Sequence, residues 1–210
     1  MGILRDIGFV HKDSSKAIQL FESYFPDFRD IRYDKNQPHT YVIQCWTAFE
    51  EAKKADPKVK DLGGVFFDCV IATVLAREGL LPLYKSAKVA FVPNVIFDLL
   101  LYTSVYGPIA LSLKTSLRER YKQADLEAIA LKYVHRKALS YLLTLDAHEA
   151  LNIGKKIKTG VVIGLNKIII ASDSSFDAMV AELKLIQTVD PPTVKVVSSN
   201  FVITKDALTI

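Results

Sequence analysis

From residue 65 to residue 187 the chain is a succession of short apolar runs whose period switches between helix and strand, and few folds accept their order. Residues 65–78 (VFFDCVIATVLARE) read as a strongly apolar helix stopped by Gly79. Residues 81–92 and 94–102 are rich in Val, Phe, Leu and Tyr and read as two strands joined by a tight turn at Pro93-Asn94. Tyr106-Gly107-Pro108 is a further turn, and 109–114 (IALSLK) a third strand. A long helix is expected over 116–137, with Ser116 as its N-cap and Glu119 completing a capping box. Residues 139–145 (LSYLLTL) follow as a strand, then a helix capped by Asp146 and running to about 156. A strand over 160–171 and a helix over 174–187 complete the series.

Strands in that number, alternating with helices, predict an α/β fold with a central mixed β-sheet flanked by helices. Upstream, 13–25 and 40–55 read as helices, and 56–64 as a charged loop closing on Gly63-Gly64. Three regions are therefore expected. They are an N-terminal helical arm or cap over 1–63, an α/β core over 64–190, and a C-terminal extension over 191–210 that adds an edge strand.

Half of the 210 residues are hydrophobic and 24% are charged, which excludes a disordered chain. Cys45 and Cys69 make neither a disulfide framework nor a metal-ligand pair, and His11, His39, His135 and His148 are too scattered for a metal pair or a catalytic dyad. With no basic-then-apolar opening and no apolar window of bilayer length, the chain is expected to be soluble and cytoplasmic, with no membrane partner. The formal charge is +4, and residues 114–137 carry all of it, with 7 basic against 3 acidic side chains. A basic coat or tail is excluded; a local site for a polyanion is not.

Chemistry converges on the same segment. Asp98 interrupts Val95-Ile96-Phe97-Asp98-Leu99-Leu100-Leu101, and a charge inside such a run is expensive unless paired or bound to metal. Ser112 and Lys114 share one face of the third strand. Glu119, Gln123 and Glu127 form one stripe of the next helix. If the two strands are neighbours, Asp98 and Lys114 meet at their ends and Glu127 reaches the same spot. Two carboxylates and a lysine suit a Mg²⁺-assisted hydrolysis of a phosphodiester. Arg118, Arg120 and Lys122 would then contact phosphates, and Gln123 would orient a phosphate or a base.

The order helix, strand, strand with Asp98, strand with Ser112-Leu113-Lys114, helix, strand resembles the core of the PD-(D/E)xK nucleases. Ser112 stands where that signature has an acid, as in the branch of type II restriction endonucleases that reads Ser-x-Lys and carries its second acid on the following helix. Glu127 stands about where that acid would be, and Lys114-Thr115-Ser116-Leu117-Arg118-Glu119-Arg120-Tyr121-Lys122-Gln123 is similar to a run found in such enzymes. Asp68, on the first core helix, matches an auxiliary acid of the family.

The resemblance implies a restriction-endonuclease-like core covering about residues 64–171 and a Mg²⁺-dependent endonuclease acting on double-stranded DNA. It implies metal on Asp98, Glu127 and Asp68, catalysis by Asp98, Lys114, Glu127 and Ser112, a homodimer, and a companion DNA methyltransferase. Ser112 in the acid's place keeps open an inactive nuclease-fold module for DNA binding or interaction. A structure-specific repair or recombination nuclease also stays open.

Overall fold

The computed structural model describes residues 2–9 and 15–193. Four helices come first: α1 (Ile3–Asp6), α2 (Lys16–Tyr24), α3 (His39–Ala55) and α4 (Gly63–Arg77). Then follow β1 (Tyr84–Ala87), β2 (Phe97–Thr103), β3 (Gly107–Lys114), α5 (Arg120–Val134), β4 (Leu139–Thr144), α6 (Ala147–Lys158), β5 (Lys167–Ile170) and α7 (Ser174–Lys184). The sheet order is β1-β2-β3-β4-β5, so the strands lie in chain order. β1, β2 and β3 pair antiparallel; β3, β4 and β5 pair parallel, with α5 and α6 as the crossover connections. The result is the expected α/β architecture, a mixed sheet flanked by helices.

The alternation of side chains along each strand divides the core in two. Leu99, Leu101, Ile109, Leu111, Leu113, Tyr141 and Leu143 point to one face, where α4 supplies Phe66, Phe67, Val70, Ile71 and Val74. Phe21 of α2, Tyr41 and Phe49 of α3, and Phe176 and Met179 of α7 belong to the same cluster, so the N-terminal helices share a core with the sheet. On the other face Leu142 packs with Ala124 and Ala128 of α5 and Ala150 and Ile153 of α6, and Leu100 and Ala110 pack with Leu131. Among the described residues no helix is long and apolar enough to cross a membrane.

Helix starts follow local chemistry. Ser15 caps α2 through Ile18 N at 3.4 Å, Asp146 caps α6 through Glu149 N at 3.0 Å, and Asp173 caps α7 through Ser175 N at 2.7 Å. Other expectations need correction. The charged stretch after Asp56 is not an open loop: Pro57–Leu62 forms a 3-10 turn and Gly63 already begins α4, bringing that helix against Phe49. The hairpin expected at Pro93-Asn94 is replaced by a long connection over 88–96, which shortens the first strand to β1. Phe91 and Asn94 have left-handed backbone there (φ 64 and 60), and Pro93 has no N–H to give a ladder.

α5 starts four residues later than expected, because Arg118 is left-handed (φ 38) and cannot belong to an α-helix. Ser116 therefore caps nothing; Glu119 takes the N-cap position without a side-chain cap bond and pairs with Lys122. The strand expected over 160–171 contracts to β5. Residues 161–166 are instead a loop braced on α5, with Gly164 N and Leu165 N donating to Asp125 Oδ1 at 2.6 and 3.1 Å. The expected edge strand of the C-terminal extension falls largely on 194–210, outside the described residues.

The brace fixes the identity of Gly164, where a Cβ would lie 2.3 Å from Asp125 O and 2.8 Å from Ile129 N. Backbone cannot yield as a side-chain tip can. Gly164→Ala is expected to cost about 1–3 kcal/mol in urea unfolding, whereas an unchanged midpoint would show that the loop is free to lift from α5.

Candidate active site

The ladder between β2 and β3 runs from Thr103 and Gly107 to Leu99 and Leu111, and there it ends. One more step in that register would set Asp98 opposite Ser112. The two strands part instead, and Asp98 fills the gap with its side chain. Its Oδ2 accepts Leu113 N at 2.7 Å and Lys114 Nζ at 2.9 Å. On the β1 side the register also omits one residue, Ser86, whose backbone is left-handed (φ 49). Asp98 thus sits between two interrupted ladders, its side chain 29% exposed and that of Lys114 16% exposed. Lys114 is the last residue of β3 and is paired in register with Thr144, the last of β4.

Two more acids act on this pair. Glu127 lies beside the buried stripe of Ala124, Ala128 and Leu131 on α5, and its Oε1 accepts Gln123 Nε2 at 2.8 Å. Burial raises its carboxyl above the usual range, the Gln123 hydrogen bond and the Lys114 charge oppose that shift, and the Asp98 charge adds to it. Asp68, on α4, is half-buried and pushed up to about 7, first by burial and then by Asp98, against the cations Lys85 and Lys114. Asp68, Asp98, Lys114 and Glu127 therefore form one electrostatically coupled group, drawn from α4, β2, β3 and α5. Ser112 is buried beside it, on the face that Lys114 shares.

The basic residues of 118–122 do not share one face. Arg120 lies on the stripe of Gln123 and Glu127, and is exposed. Lys122 pairs with Glu119 and is exposed. Arg118 lies in a cleft against α6. Lys85 was not singled out from sequence: a lysine on a short edge strand belongs to no motif, and only the pairing of Lys85 with Leu99 brings it near α4.

A cavity of about 870 Å³ lies along β1, lined by Phe9, Ala76, Leu83, Tyr102 and Pro108 among others. It is mainly apolar and does not include the acids. His39 donates its backbone N–H to Asp177 and pairs with it through Nδ1 at 2.6 Å, joining α3 to α7. His148 is exposed, His135 has a buried Nε2 without a partner among the described residues, and His11 lies outside them. Cys45 and Cys69 are buried, and burial pushes both thiols up to about 12, so neither is a nucleophile at neutral pH.

Among the described residues no three His, Cys, Asp or Glu side chains form a cage for a metal ion. The donors present are carboxylate oxygens, which suit a hard cation that keeps most of its water and takes one or two protein carboxylates. Asp98 Oδ1 has no protein partner among the described residues. Burial and repulsion from Asp98 hold Asp68 and Glu127 toward their neutral forms, a tension that a nearby cation would relieve. In donor chemistry the site fits Mg²⁺.

Comparison with known proteins returns little. No protein-family model matches the chain, and no curated protein matches it. Among solved structures it is similar to a complex of the restriction endonuclease PspGI with substrate DNA, at 15% identity and a TM-score of 0.45. The overlap covers 67% of this chain and 61% of that one.

The acid cluster has a thermodynamic signature. Between about pH 4 and pH 7 the folded chain keeps a proton on Asp68 that the unfolded chain has released, so stability falls as pH rises through that window. Asp68→Asn removes the penalty. It is expected to stabilise the protein by roughly 2 kcal/mol at pH 8 and hardly at all at pH 4. Urea unfolding at the two pH values measures this, and an equal effect at both would contradict the buried-acid argument.

Proposed function

We propose that the chain is a Mg²⁺-dependent DNA endonuclease, of the type II restriction kind, hydrolysing phosphodiester bonds at the Asp98–Lys114 end of the sheet. The observation that carries this reading is the half-buried Asp98–Lys114 pair with two further carboxylates acting on it. Structural ion pairs need no such surplus of acid; a site for a divalent cation and a phosphate does.

The roles follow from position. Asp98, through its uncommitted oxygen, and Glu127 or Asp68 would hold the cation. When bound, Mg²⁺ supplies charge stabilisation at the phosphate and a more acidic water. Lys114 Nζ, held at 2.9 Å by Asp98, presents its remaining protons to the attacking water and to the phosphate oxygens, whose charge grows in the transition state. Whichever of Glu127 and Asp68 does not hold the cation would, once ionised, accept the proton of the attacking water. Buried Ser112 leaves the face beside Lys114 without a further charge. Arg120 and Gln123 lie along the Glu127 stripe and contact the backbone of the DNA, as do Arg118 and Lys122 on their own sides.

One such site cuts one strand. Cutting both strands of double-stranded DNA calls for a homodimer, and a restriction role calls for a companion DNA methyltransferase to protect the host sequence. Two observations favour a second reading, a nuclease-fold module that binds DNA without cutting it: Ser112 in place of an acid, and the lack of a three-donor cage among the described residues. A structure-specific nuclease would differ in substrate alone.

Incubation with supercoiled plasmid DNA separates these readings. Nicked and linear products are expected with Mg²⁺ and none with EDTA. Lys114→Met should slow cutting by about 100-fold or more while DNA binding changes only several-fold. A native protein that binds duplex DNA yet never cuts any sequence or branched form, with or without Mg²⁺, would favour the non-cleaving module.

A further inference from the structure

The segment between β3 and α5 bounds a second polar cleft, apart from the acid cluster. Arg118, at its mouth, has the left-handed backbone already noted, which a residue with a side chain adopts only where its surroundings hold it. The holding group is Glu149 of α6, whose carboxylate accepts the Arg118 backbone N–H. Arg118, Glu119, Tyr121, Glu149, Asn152, Ile153 and Lys156 enclose about 370 Å³.

Lys156 Nζ donates to Tyr121 Oη at 2.8 Å and lies 4.7 Å from the centre of its ring, so the ammonium is fixed at the wall with protons to spare. The Arg118 guanidinium and the Asn152 amide are exposed and have no hydrogen-bond partner among the described residues. The cleft's two carboxylates are engaged already, Glu149 by the Arg118 N–H and Glu119 by Lys122. Arg118 and Lys156 keep cationic N–H donors for a further acceptor, beside one uncommitted oxygen on each carboxylate.

The cleft shares an edge of the sheet with the proposed active site. Lys114 and Thr144 are register partners; the loop bearing Arg118 leaves from the first, and α6, capped by Asp146, leaves after the second. Arg118 is four residues beyond Lys114, hence within about 14 Å of it, roughly four base steps at about 3.4 Å each.

We propose that this cleft is a phosphate subsite in which Arg118, Asn152 and Lys156 grip backbone oxygens of the DNA strand a few nucleotides from the bond cut at Lys114. The inference rests on the nuclease reading and extends its substrate contact onto α6. Its side chains bind and do not take part in the chemistry.

The test is binding of a labelled duplex of about 30 base pairs in EDTA, by fluorescence anisotropy over a range of salt. Lys156→Met is expected to weaken binding about 5–10-fold near 0.1 M salt and to lower the slope of log K against log salt by about 1. Asn152→Asp, at an exposed position that tolerates the change, should weaken it similarly by setting a negative charge in the cleft. Lys53→Met on α3, outside the cleft, should alter neither affinity nor slope. If the native chain binds the duplex and both cleft variants match it in affinity and slope, the subsite is wrong and the nuclease reading stands. If the native chain binds no duplex, both fall together.

Discussion

One carboxylate oxygen organises the end of the sheet where the acids gather. Asp98 Oδ2 accepts both the Leu113 backbone N–H and the Lys114 ammonium, at the point where β2 and β3 part. The backbone bond does structural duty, because the ladder has ended and an N–H at its margin needs an acceptor. The ammonium bond fixes the lysine with few degrees of freedom left. A charged acceptor makes both bonds stronger than neutral ones. The same arrangement leaves the second oxygen of Asp98 directed away from the sheet's own hydrogen bonding.

The surrounding acids have a cost and a use. Asp68 and Glu127 are drawn from helices on opposite faces of the sheet, and both are held toward their neutral forms by burial and by Asp98. A fold selected for stability alone has no reason to gather two further carboxylates around one ion pair. A cation held by carboxylates that resist ionisation would displace their protons, which would couple its binding to proton release. The excess positive charge of 114–137 divides around this cluster, with Lys114 inside it, Arg120 beside it and Arg118 in the cleft toward α6.

Much of this was legible in the sequence because it is local. Asp98 announced itself as a charge in an apolar run, Lys114 as the polar end of a strand, and Asp146 as a cap before a helix. What was not legible depends on backbone conformations that side-chain patterns do not encode. The apolar residues of 88–96 read as strand, yet left-handed Phe91 and Asn94 make them a connection. Ser116 and Glu119 have the spacing of a capping box, yet Arg118 between them turns the wrong way, so α5 starts later. Lys85, Asn152 and Lys156 gain their positions only from register and helix packing, through partners distant in the chain.

We propose that Asp98 is the residue around which a divalent cation assembles, with Lys114 as the counter-charge that the protein itself supplies to Asp98. Calorimetric titration of Mn²⁺ into the native protein, Asp98→Asn and Lys114→Met addresses it without any DNA. Binding by the native chain is expected, with a loss of at least about tenfold in Asp98→Asn and equal or tighter binding in Lys114→Met, where a competing cation has been removed. Native affinity retained in Asp98→Asn, or lost in Lys114→Met, would contradict it.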